Sequence, residues 1–180
     1  KQKDLQVLLE KFEKGILVAD VPHPVLPISL ANAGKIVTIL KKEIVEKDPK
    51  ENGLRQILNF GHTFGHALEL FSGFRIKHGF AVSQGVMVEA EISFLTGNLS
   101  IDGKNGIMKL LKKFGFPLAV DSGIDADKII ELMASGKKSK KQKPRFVILE
   151  NIGTAKSHAN NFSFEIENKL IKKSIVNCRK

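Results

Sequence analysis

The sequence contains no tryptophan, no tyrosine and only one cysteine, Cys178, two residues from its end. A single cysteine cannot form an internal disulfide, and its near-terminal position disfavours a role as a catalytic nucleophile. No apolar run reaches the roughly 18 residues that a transmembrane helix requires. No signal-peptide pattern is recognisable either. We therefore expect a cytoplasmic protein without a membrane partner.

Acidic residues are outnumbered, with 29 Lys and Arg against 19 Asp and Glu and a formal net charge of +10. This excess suits an anionic partner, which could be a nucleic acid, an acidic membrane surface or a phosphorylated small molecule. The 12 Phe residues lie among aliphatic residues and not among the lysines, so a base-stacking surface is not evident. The basic run Lys137–Arg145 is typical of a solvated loop, with nucleic-acid contact as the alternative.

Apolar residues recur at helical spacing along most of the chain, which predicts a mainly α-helical protein. The predicted helices are Lys3–Glu13, Ser29–Lys47, the segment around 55–71, 78–97, Lys104–Phe114, Asp125–Ala134 and Phe164–Val176. A short β-hairpin is predicted near 145–158. Neither an internal repeat nor a long linker divides the chain, so we expect residues 1–180 to form a single helical domain.

A row of polar side chains interrupts an otherwise apolar segment. Arg55, Asn59, His62 and His66 recur at i, i+4, i+7 and i+11, and Glu69 follows one turn later. On one continuous helix these residues would share a face. Titratable groups in such a segment need partners, because unpaired polar groups are costly to bury. The row therefore predicts a binding or catalytic site.

The histidines of this segment have the spacing of a possible metal site. His62 and His66 lie one helical turn apart, and His78 opens the next predicted helix. Zinc commonly takes two or three nitrogens and an oxygen. Surface or hydrogen-bonded histidines are the alternative. Gly61 and Gly65 each cost about 1 kcal/mol inside a helix, which predicts close approach of a ligand or another backbone.

The motif as a whole is more specific than its parts. It comprises Lys41-Lys42-Glu43-Ile44-Val45, Gly53-Leu54-Arg55, Leu58-Asn59-Phe60-Gly61-His62-Thr63-Phe64-Gly65-His66-Ala67-Leu68-Glu69 and His78-Gly79. This stretch, from about Lys41 to Gly85, closely resembles the C-terminal domain of 3-dehydroquinate synthase. Weaker similarity runs through Gly136-Lys137-Lys138 and Phe146–Leu149 to Ile152-Gly153, so the resemblance covers most of the chain.

The resemblance implies both an activity and a fold. Enzymes of this family are phosphate-eliminating carbon–oxygen lyases of the shikimate pathway, which supplies aromatic amino acid biosynthesis. They convert 3-deoxy-arabino-heptulosonate 7-phosphate to 3-dehydroquinate through transient oxidation by NAD. The expected fold is the helical C-terminal domain of the dehydroquinate synthase-like architecture. The implied cofactors are NAD and a divalent metal, zinc or cobalt, and the implied assembly is a homodimer.

The resemblance also implies a metal centre and a phosphate site. His62 and His78 match the metal ligands of the family. His66 and Asn59 match positions that face the substrate phosphate.

Further matches concern the rest of the substrate. Arg55 and Lys41 match positions that face the substrate carboxylate. Lys137 or Lys138 would belong to a lysine pair that closes over the substrate. Glu51 matches a family position near the site, and we assign it no role.

The chain also departs from the family pattern. A Glu-x-x-Lys segment that completes the metal site, and the N-terminal nucleotide-binding domain that binds most of NAD, have no counterpart here. We expect this chain to be inactive without that missing half. Phe80 stands where the family usually has glutamate, and Gly136 stands where it usually has aspartate. Acidic neighbours orient metal ligands, so we expect both substitutions to affect catalytic activity.

Three other functions remain compatible with these residues. The first is another sugar-phosphate cyclase or a metal-dependent alcohol dehydrogenase of the same fold. The second is a catalytically inactive remnant of the family. The third is a basic nucleic-acid-binding module that uses Lys137–Arg145, which the absence of interleaved aromatic residues disfavours.

Overall fold

The computed structural model describes residues 41–135 and 143–179, and helices dominate both ranges. The helices are 41–47 (α1), the 3-10 helix Leu54–Asn59 (η1), His62–Phe71 (α2), His78–Leu95 (α3), Ile101–Lys113 (α4), Ala126–Ser135 (α5) and Asn168–Asn177 (α6). The strands are Arg145–Val147 (β1), Leu149–Asn151 (β2), Thr154–Ala155 (β3) and Ser163–Glu165 (β4). The predicted mainly α fold is confirmed. The helix predicted over Lys3–Glu13 lies outside the described residues.

Helix α3 is the central element of the core. Eleven of its residues are buried, they lie on every side of the helix, and most are apolar or small, including Met87, Val88 and Ile92. A helix that is hydrophobic all round is one that other elements surround. Helices α2, α4 and α6 and strand β2 contact α3. Among the described residues, no helix combines the length and apolarity needed to cross a membrane.

The polar row does not lie on one continuous helix. Residues Leu54–Asn59 form the 3-10 helix η1, and Gly61 has φ of 80° before α2 begins at His62. A left-handed residue reverses the backbone direction and is the reason that the helix predicted across 55–71 is divided. His62 and His66 remain one turn apart on α2, whereas Arg55 and Asn59 belong to η1.

Glycines allow α2 to start directly against α3. A Cβ atom at Gly61 would lie 2.8 Å from the Val82 carbonyl oxygen, and one at Gly65 would lie 3.0 Å from the Val82 Cα atom. A Cβ atom at Gly85 would overlap the Gly61 carbonyl oxygen. The predicted close approach at Gly61 and Gly65 is therefore confirmed, and the approaching group is the backbone of α3.

The strands form two short antiparallel pairs. β2 pairs with β3 across the turn at Ile152–Gly153, which is the predicted hairpin. β1 pairs with β4, with Phe146 opposite Phe164. The sequence had placed Phe164 in the last helix, which instead begins at Asn168. That assignment was wrong, because Phe162, Phe164 and Ile166 alternate with polar residues in the two-residue period of a strand.

Helix α3 also binds the strand region through side chains. The backbone N–H of Val147 donates to Glu89 Oε2 at 3.3 Å, and the N–H of Leu149 donates to Ser93 Oγ at 3.0 Å. Alternate strand residues point their N–H groups to the same side, and Glu89 and Ser93 lie one helical turn apart. The helix thus accepts hydrogen bonds that a neighbouring strand would otherwise accept.

A second polar cluster, the Glu91 cluster, fixes the opposite side of α3. Glu91 is 5% exposed and accepts from Lys104 Nζ at 2.8 Å and from Asn177 Nδ2 at 2.7 Å. Nearby, burial and then the charge of Glu91 raise the pKa of the Cys178 thiol to about 12. A protonated, half-buried thiol is a poor nucleophile, in agreement with the expectation from its position.

Candidate metal centre and substrate cleft

Three histidines converge where α2 meets the start of α3. His62 and His66 lie one turn apart on α2, and His78 is the first residue of α3. The ring centroids of each pair are 5.5 Å apart, so the three imidazoles form a nearly equilateral triangle. The two histidines that match the family's metal ligands, His62 and His78, thus share one surface.

Glu69 connects two of these histidines. Its carboxylate lies 2.9 Å from His66 Nδ1 and 3.2 Å from His78 Nδ1. One ligand atom from each of these three residues falls within 4.8 Å of the others. Hydrogen bonds from His66 and then His78 outweigh burial and hold the pKa of Glu69 below its usual value. Glu69 is therefore ionised at neutral pH and accepts from both rings.

The hydrogen bonds determine which ring nitrogens remain available. His62 Nδ1 lies 3.2 Å from the Phe60 carbonyl oxygen, which can only accept. In the neutral ring the proton must then sit on Nδ1, so Nε2 keeps its lone pair. The ionised Glu69 imposes the same assignment on His66 and His78. This arrangement, with one nitrogen oriented by an oxygen and the other free, is typical of metal-binding histidines.

The charge state of His62 also suits a ligand. Burial, chiefly, lowers the pKa of His62, and the positive charges of His66, His78 and Lys41 act in the same direction. The hydrogen bond to Phe60 opposes them without reversing the shift. Metal ions bind the neutral imidazole, so a lowered pKa removes proton competition near pH 7. The residues present therefore fit a divalent cation such as zinc.

Asp48 holds η1 in place next to this centre. Its carboxylate accepts from the backbone N–H groups of Asn52, Gly53 and Arg55 at 2.8 to 3.1 Å. Although burial alone would raise the pKa of Asp48, these three hydrogen bonds together lower it. A helix N-terminus without an N-cap side-chain bond of its own needs such an acceptor. Asp48 thereby fixes the start of the segment that carries Arg55 and Asn59.

Glu51, to which the sequence assigned no role, bridges two predicted substrate residues. Asn59 Nδ2 donates to its Oε1 at 2.5 Å, and Arg55 Nε lies 3.9 Å from its Oε2. Arg55 Nη1 also donates to the Pro49 carbonyl oxygen at 2.9 Å. Glu51 thus sets the separation of a guanidinium and an amide beside the cleft.

A cleft of about 510 Å³ joins His62 and His66 to η1 and β1, whereas His78 does not line it. Its polar lining consists of Glu51, which precedes η1, and of residues from η1, α2, β1 and β4, namely Gln56, Asn59, His62, Thr63, His66, Arg145 and Ser163. Its apolar lining consists of Ala67, Leu70, Leu132, Met133 and Val147. The structure therefore brings Asn59, His62 and His66 into one cleft. Lys137 and Lys138 lie outside the described residues.

The sequence around these site residues matches a known protein family. The sequence profile of the family described as 3-dehydroquinate synthase C-terminal matches residues 28–139. The chain belongs to this family. Its members include the 3-dehydroquinate synthases of Corynebacterium jeikeium, 39% identical over 132 residues, and of Pyrococcus furiosus, 38% identical over 140 residues. These alignments cover 73% and 78% of this chain but only 34% and 38% of those relatives. The chain thus matches about a third of their length.

Solved structures agree on the fold. A 2-deoxy-scyllo-inosose synthase complexed with carbaglucose-6-phosphate, NAD+ and Co2+ superposes with a TM-score of 0.70 at 20% identity, covering 97% of this chain and 52% of that one. A 2-epi-5-epi-valiolone synthase from Streptomyces hygroscopicus with NAD+ and Zn2+ bound gives 0.63 at 19% identity, covering 99% and 47%. The dehydroquinate synthase-like architecture is therefore confirmed.

Two residues of the chain were expected, from the family resemblance, to be acidic and are not. Phe80, which replaces the usual glutamate, is 43% exposed and packs edge-on against Phe116 with ring centroids 5.8 Å apart. Glu69 places a carboxylate 3.2 Å from His78 Nδ1. Gly136, the second departure, lies outside the described residues.

Arg145 was predicted to belong to a solvated basic run, but in the structure it forms hydrogen bonds with residues of α2 and β4. Its Nε donates to Ser163 Oγ at 3.1 Å, its Nη2 donates to the Ser163 carbonyl oxygen, and its carbonyl oxygen accepts from Thr63 Oγ1 at 2.7 Å. These contacts span distant parts of the chain, so no local pattern indicated them. Arg145 forms part of the cleft wall and is not a free surface cation.

Proposed function

We propose that this chain is the metal- and substrate-binding helical part of a 3-dehydroquinate synthase. The whole protein would convert 3-deoxy-arabino-heptulosonate 7-phosphate to 3-dehydroquinate and phosphate. One observation carries the proposal: in a member of this family, the rings of His62, His66 and His78 form a triangle, and Glu69 bridges His66 and His78. His62 and His66 line the same cleft as Asn59. Because the chain matches only about a third of the length of its relatives, we propose this turnover for the whole protein and not for the chain alone.

In this proposal His62 and His78 bind a divalent cation, zinc or cobalt, through Nε2. The Phe60 carbonyl oxygen and Glu69 orient the two rings by accepting from Nδ1. When bound, the cation supplies Lewis-acid polarisation of a substrate oxygen. Two nitrogen ligands leave room for an oxygen ligand from a part of the whole protein outside these 180 residues and for substrate.

The remaining predicted residues bind the two anionic groups of the substrate. Arg55 presents a planar guanidinium that suits a carboxylate, with Lys41 as a second cation. Asn59 and His66 face the phosphate from the cleft, and Lys137 or Lys138 completes this site. In the whole protein an N-terminal domain binds most of NAD, and two copies of the whole protein form a homodimer.

Zinc and cobalt titration of the chain tests the metal site directly. Isothermal calorimetry on His62→Ala and His78→Ala should show at least a tenfold loss of affinity, because each removes one ligand. His158→Ala is the matched control, since His158 is exposed and lies outside the metal centre. Unchanged zinc affinity in both site variants would reject the proposed ligands.

Activity is tested in the whole protein, with an N-terminal nucleotide-binding half joined to this chain, by phosphate release from the heptulosonate phosphate. His62→Ala should abolish turnover, whereas a variant that keeps full turnover would reject the enzyme assignment. Failure of the parent protein, with metal binding intact, would favour an inactive remnant.

Another sugar-phosphate cyclase is the second candidate, since the structural neighbours include synthases with other products. A panel of phosphorylated sugars, with and without a carboxylate, separates the two. Arg55→Lys should weaken turnover only of a carboxylate-bearing substrate, because lysine loses the bidentate contact.

A further inference from the structure

We propose that Arg145 binds the phosphate group of the substrate and is the permanent cation of the cleft that Asn59 and His66 line. The inference rests on the proposed function, which directs Asn59 and His66 toward that phosphate. Arg145 was not among the candidate site residues that the sequence indicated. Its charge, position and hydrogen bonds favour a ligand-binding role over a purely structural one.

The cleft has a single permanent positive charge. Arg145 is the one Lys or Arg among the described residues that line it, and Arg55 and Lys41 do not line it. The acidic lining residue, Glu51, is already engaged by Asn59 and Arg55. A phosphate monoester carries about two negative charges at pH 7, and an arginine remains protonated at that pH. A phosphate in this cleft therefore finds its fixed countercharge at Arg145.

Two hydrogen bonds to Ser163 hold the Arg145 guanidinium at the cleft wall. Nε donates to Ser163 Oγ at 3.1 Å, and Nη2 donates to the Ser163 carbonyl oxygen. Ser163 itself lines the cleft, so the guanidinium lies beside it. The Arg145 side chain is 33% exposed, which leaves it accessible to a ligand. A guanidinium that is already oriented loses less conformational freedom when it binds an anion.

Thr63 anchors the backbone of Arg145 next to the metal centre. Its Oγ1 donates to the Arg145 carbonyl oxygen at 2.7 Å, and it follows His62 directly on α2. Thr63 and His62 both line the cleft. The cleft thus places a cation near a proposed metal ligand, as a substrate with both a phosphate and a metal-binding oxygen requires.

Arg145 also keeps hydrogen-bonding capacity for a ligand. A guanidinium has five N–H donors. Within residues 41–135 and 143–179 this side chain makes four hydrogen bonds, and those to Asn161 Oδ1 and Glu165 Oε1 are 3.5 Å long. Bonds of that length are weak, and Glu165 is 53% exposed, so water screens its attraction. Phosphate oxygens at Nη1 and Nη2 would replace two weak bonds with a bidentate pair.

Titration of the chain with inorganic phosphate tests this inference. The side-chain ¹H–¹⁵N signals of Asn59 report binding in the cleft rather than at lysines elsewhere, because Asn59 lines the cleft. Arg145→Gln should bind phosphate at least about tenfold more weakly, since it loses a charge-assisted bidentate contact. Arg75→Gln is the matched control, because it removes the same charge from an exposed residue that does not line the cleft. Its phosphate affinity should stay within about twofold of the parent.

Two further variants distinguish ligand binding from a structural role. Glu165→Gln removes the carboxylate that competes for Arg145 and should tighten phosphate binding about twofold. An unchanged or lower affinity would overturn the inference, because the pair would then serve only to hold β1 and β4 together. Arg145→Lys keeps the charge but loses the paired donors, so it should weaken phosphate binding about threefold. It replaces Arg145→Gln if that variant does not fold.

The remaining outcomes are equally decisive. Phosphate that leaves the Asn59 signals of the parent unchanged, or that binds Arg145→Gln as tightly as the parent, would overturn the inference. Acetate that binds as tightly as phosphate would overturn the assignment of Arg145 to the phosphate group. Phosphate binding that depends on Arg145, in a chain whose His62→Ala and His78→Ala variants keep full zinc affinity, would support Arg145 and reject the proposed metal ligands.

Discussion

Each of the two polar clusters beside helix α3 contains a glutamate that accepts from nitrogen donors, but the clusters differ in how many of their hydrogen-bonding atoms have a partner. In the Glu91 cluster both carboxylate oxygens have a partner, and Lys104 Nζ also lies 4.4 Å from the Phe94 ring centroid. In the metal-centre cluster of His62, His66, Glu69 and His78, each ring uses Nδ1, and no described residue bonds to an Nε2. Saturated groups hold the fold together, whereas groups with a free lone pair are available to a ligand.

The largest loss of stability is expected from Glu91→Ala. The substitution leaves Lys104 and Asn177 without a buried acceptor, which should cost roughly 3 kcal/mol in the free energy of unfolding. Urea denaturation at pH 7 measures this loss. Zinc affinity should not change. A loss of zinc affinity as large as that of His78→Ala would contradict the proposed difference between the two clusters.

Gly85→Ala should come next, because its Cβ atom overlaps the Gly61 carbonyl oxygen. Displacing α2 from α3 should cost about 1–3 kcal/mol and weaken zinc binding together with stability. Gly79→Ala is the control on the same helix, since nothing lies within 4 Å of its Cβ position. A Gly85→Ala protein as stable as Gly79→Ala would contradict the close backbone contact.

Glu69→Gln should change stability by less than about 1 kcal/mol, since it weakens hydrogen bonds to two half-exposed rings. Zinc affinity should fall by about 10- to 100-fold, because the amide no longer orients His78 as an ionised carboxylate does. Calorimetric titration alongside thermal unfolding shows both effects. If stability and affinity fall in proportion, the metal-centre cluster is structural in the same sense as the Glu91 cluster.

The smallest effect is the pH dependence of the metal-free chain. The folded state lowers the pKa of His62, so protonation favours the unfolded chain as pH falls below about 6.5. Stability should therefore be fully present above that pH and decline below it. Glu69, whose pKa is also lowered, adds a second decline below about pH 4.3. His62→Gln should remove the first decline, as followed by urea titrations between pH 7.5 and 5.

Much of this architecture was predictable from local patterns. The helical spacing predicted α2 through α5, and the histidine motif indicated the surface where His62, His66 and His78 meet. Strand β4 was missed even though Phe162, Phe164 and Ile166 alternate in a two-residue period. That short signal was outweighed by the apolar helical pattern that follows it.

The contacts between distant segments could not be predicted in this way. Thr63 bonds to Arg145 across 82 residues of chain, and Val147 bonds to Glu89 across 58 residues. Spacing rules describe neighbours on one element, so they indicate neither pair. Gly61 shows the same limit, since its cost to a helix was apparent from the sequence but the turn it permits was not.

The hydrogen bonds from Val147 to Glu89 and from Leu149 to Ser93 have a consequence for assembly. Backbone donors on an open strand edge recruit strands from other molecules, which leads to fibres or exchanged segments. Here helix side chains occupy those donors on the β1–β2 side. Self-association by strand addition at that edge is therefore blocked.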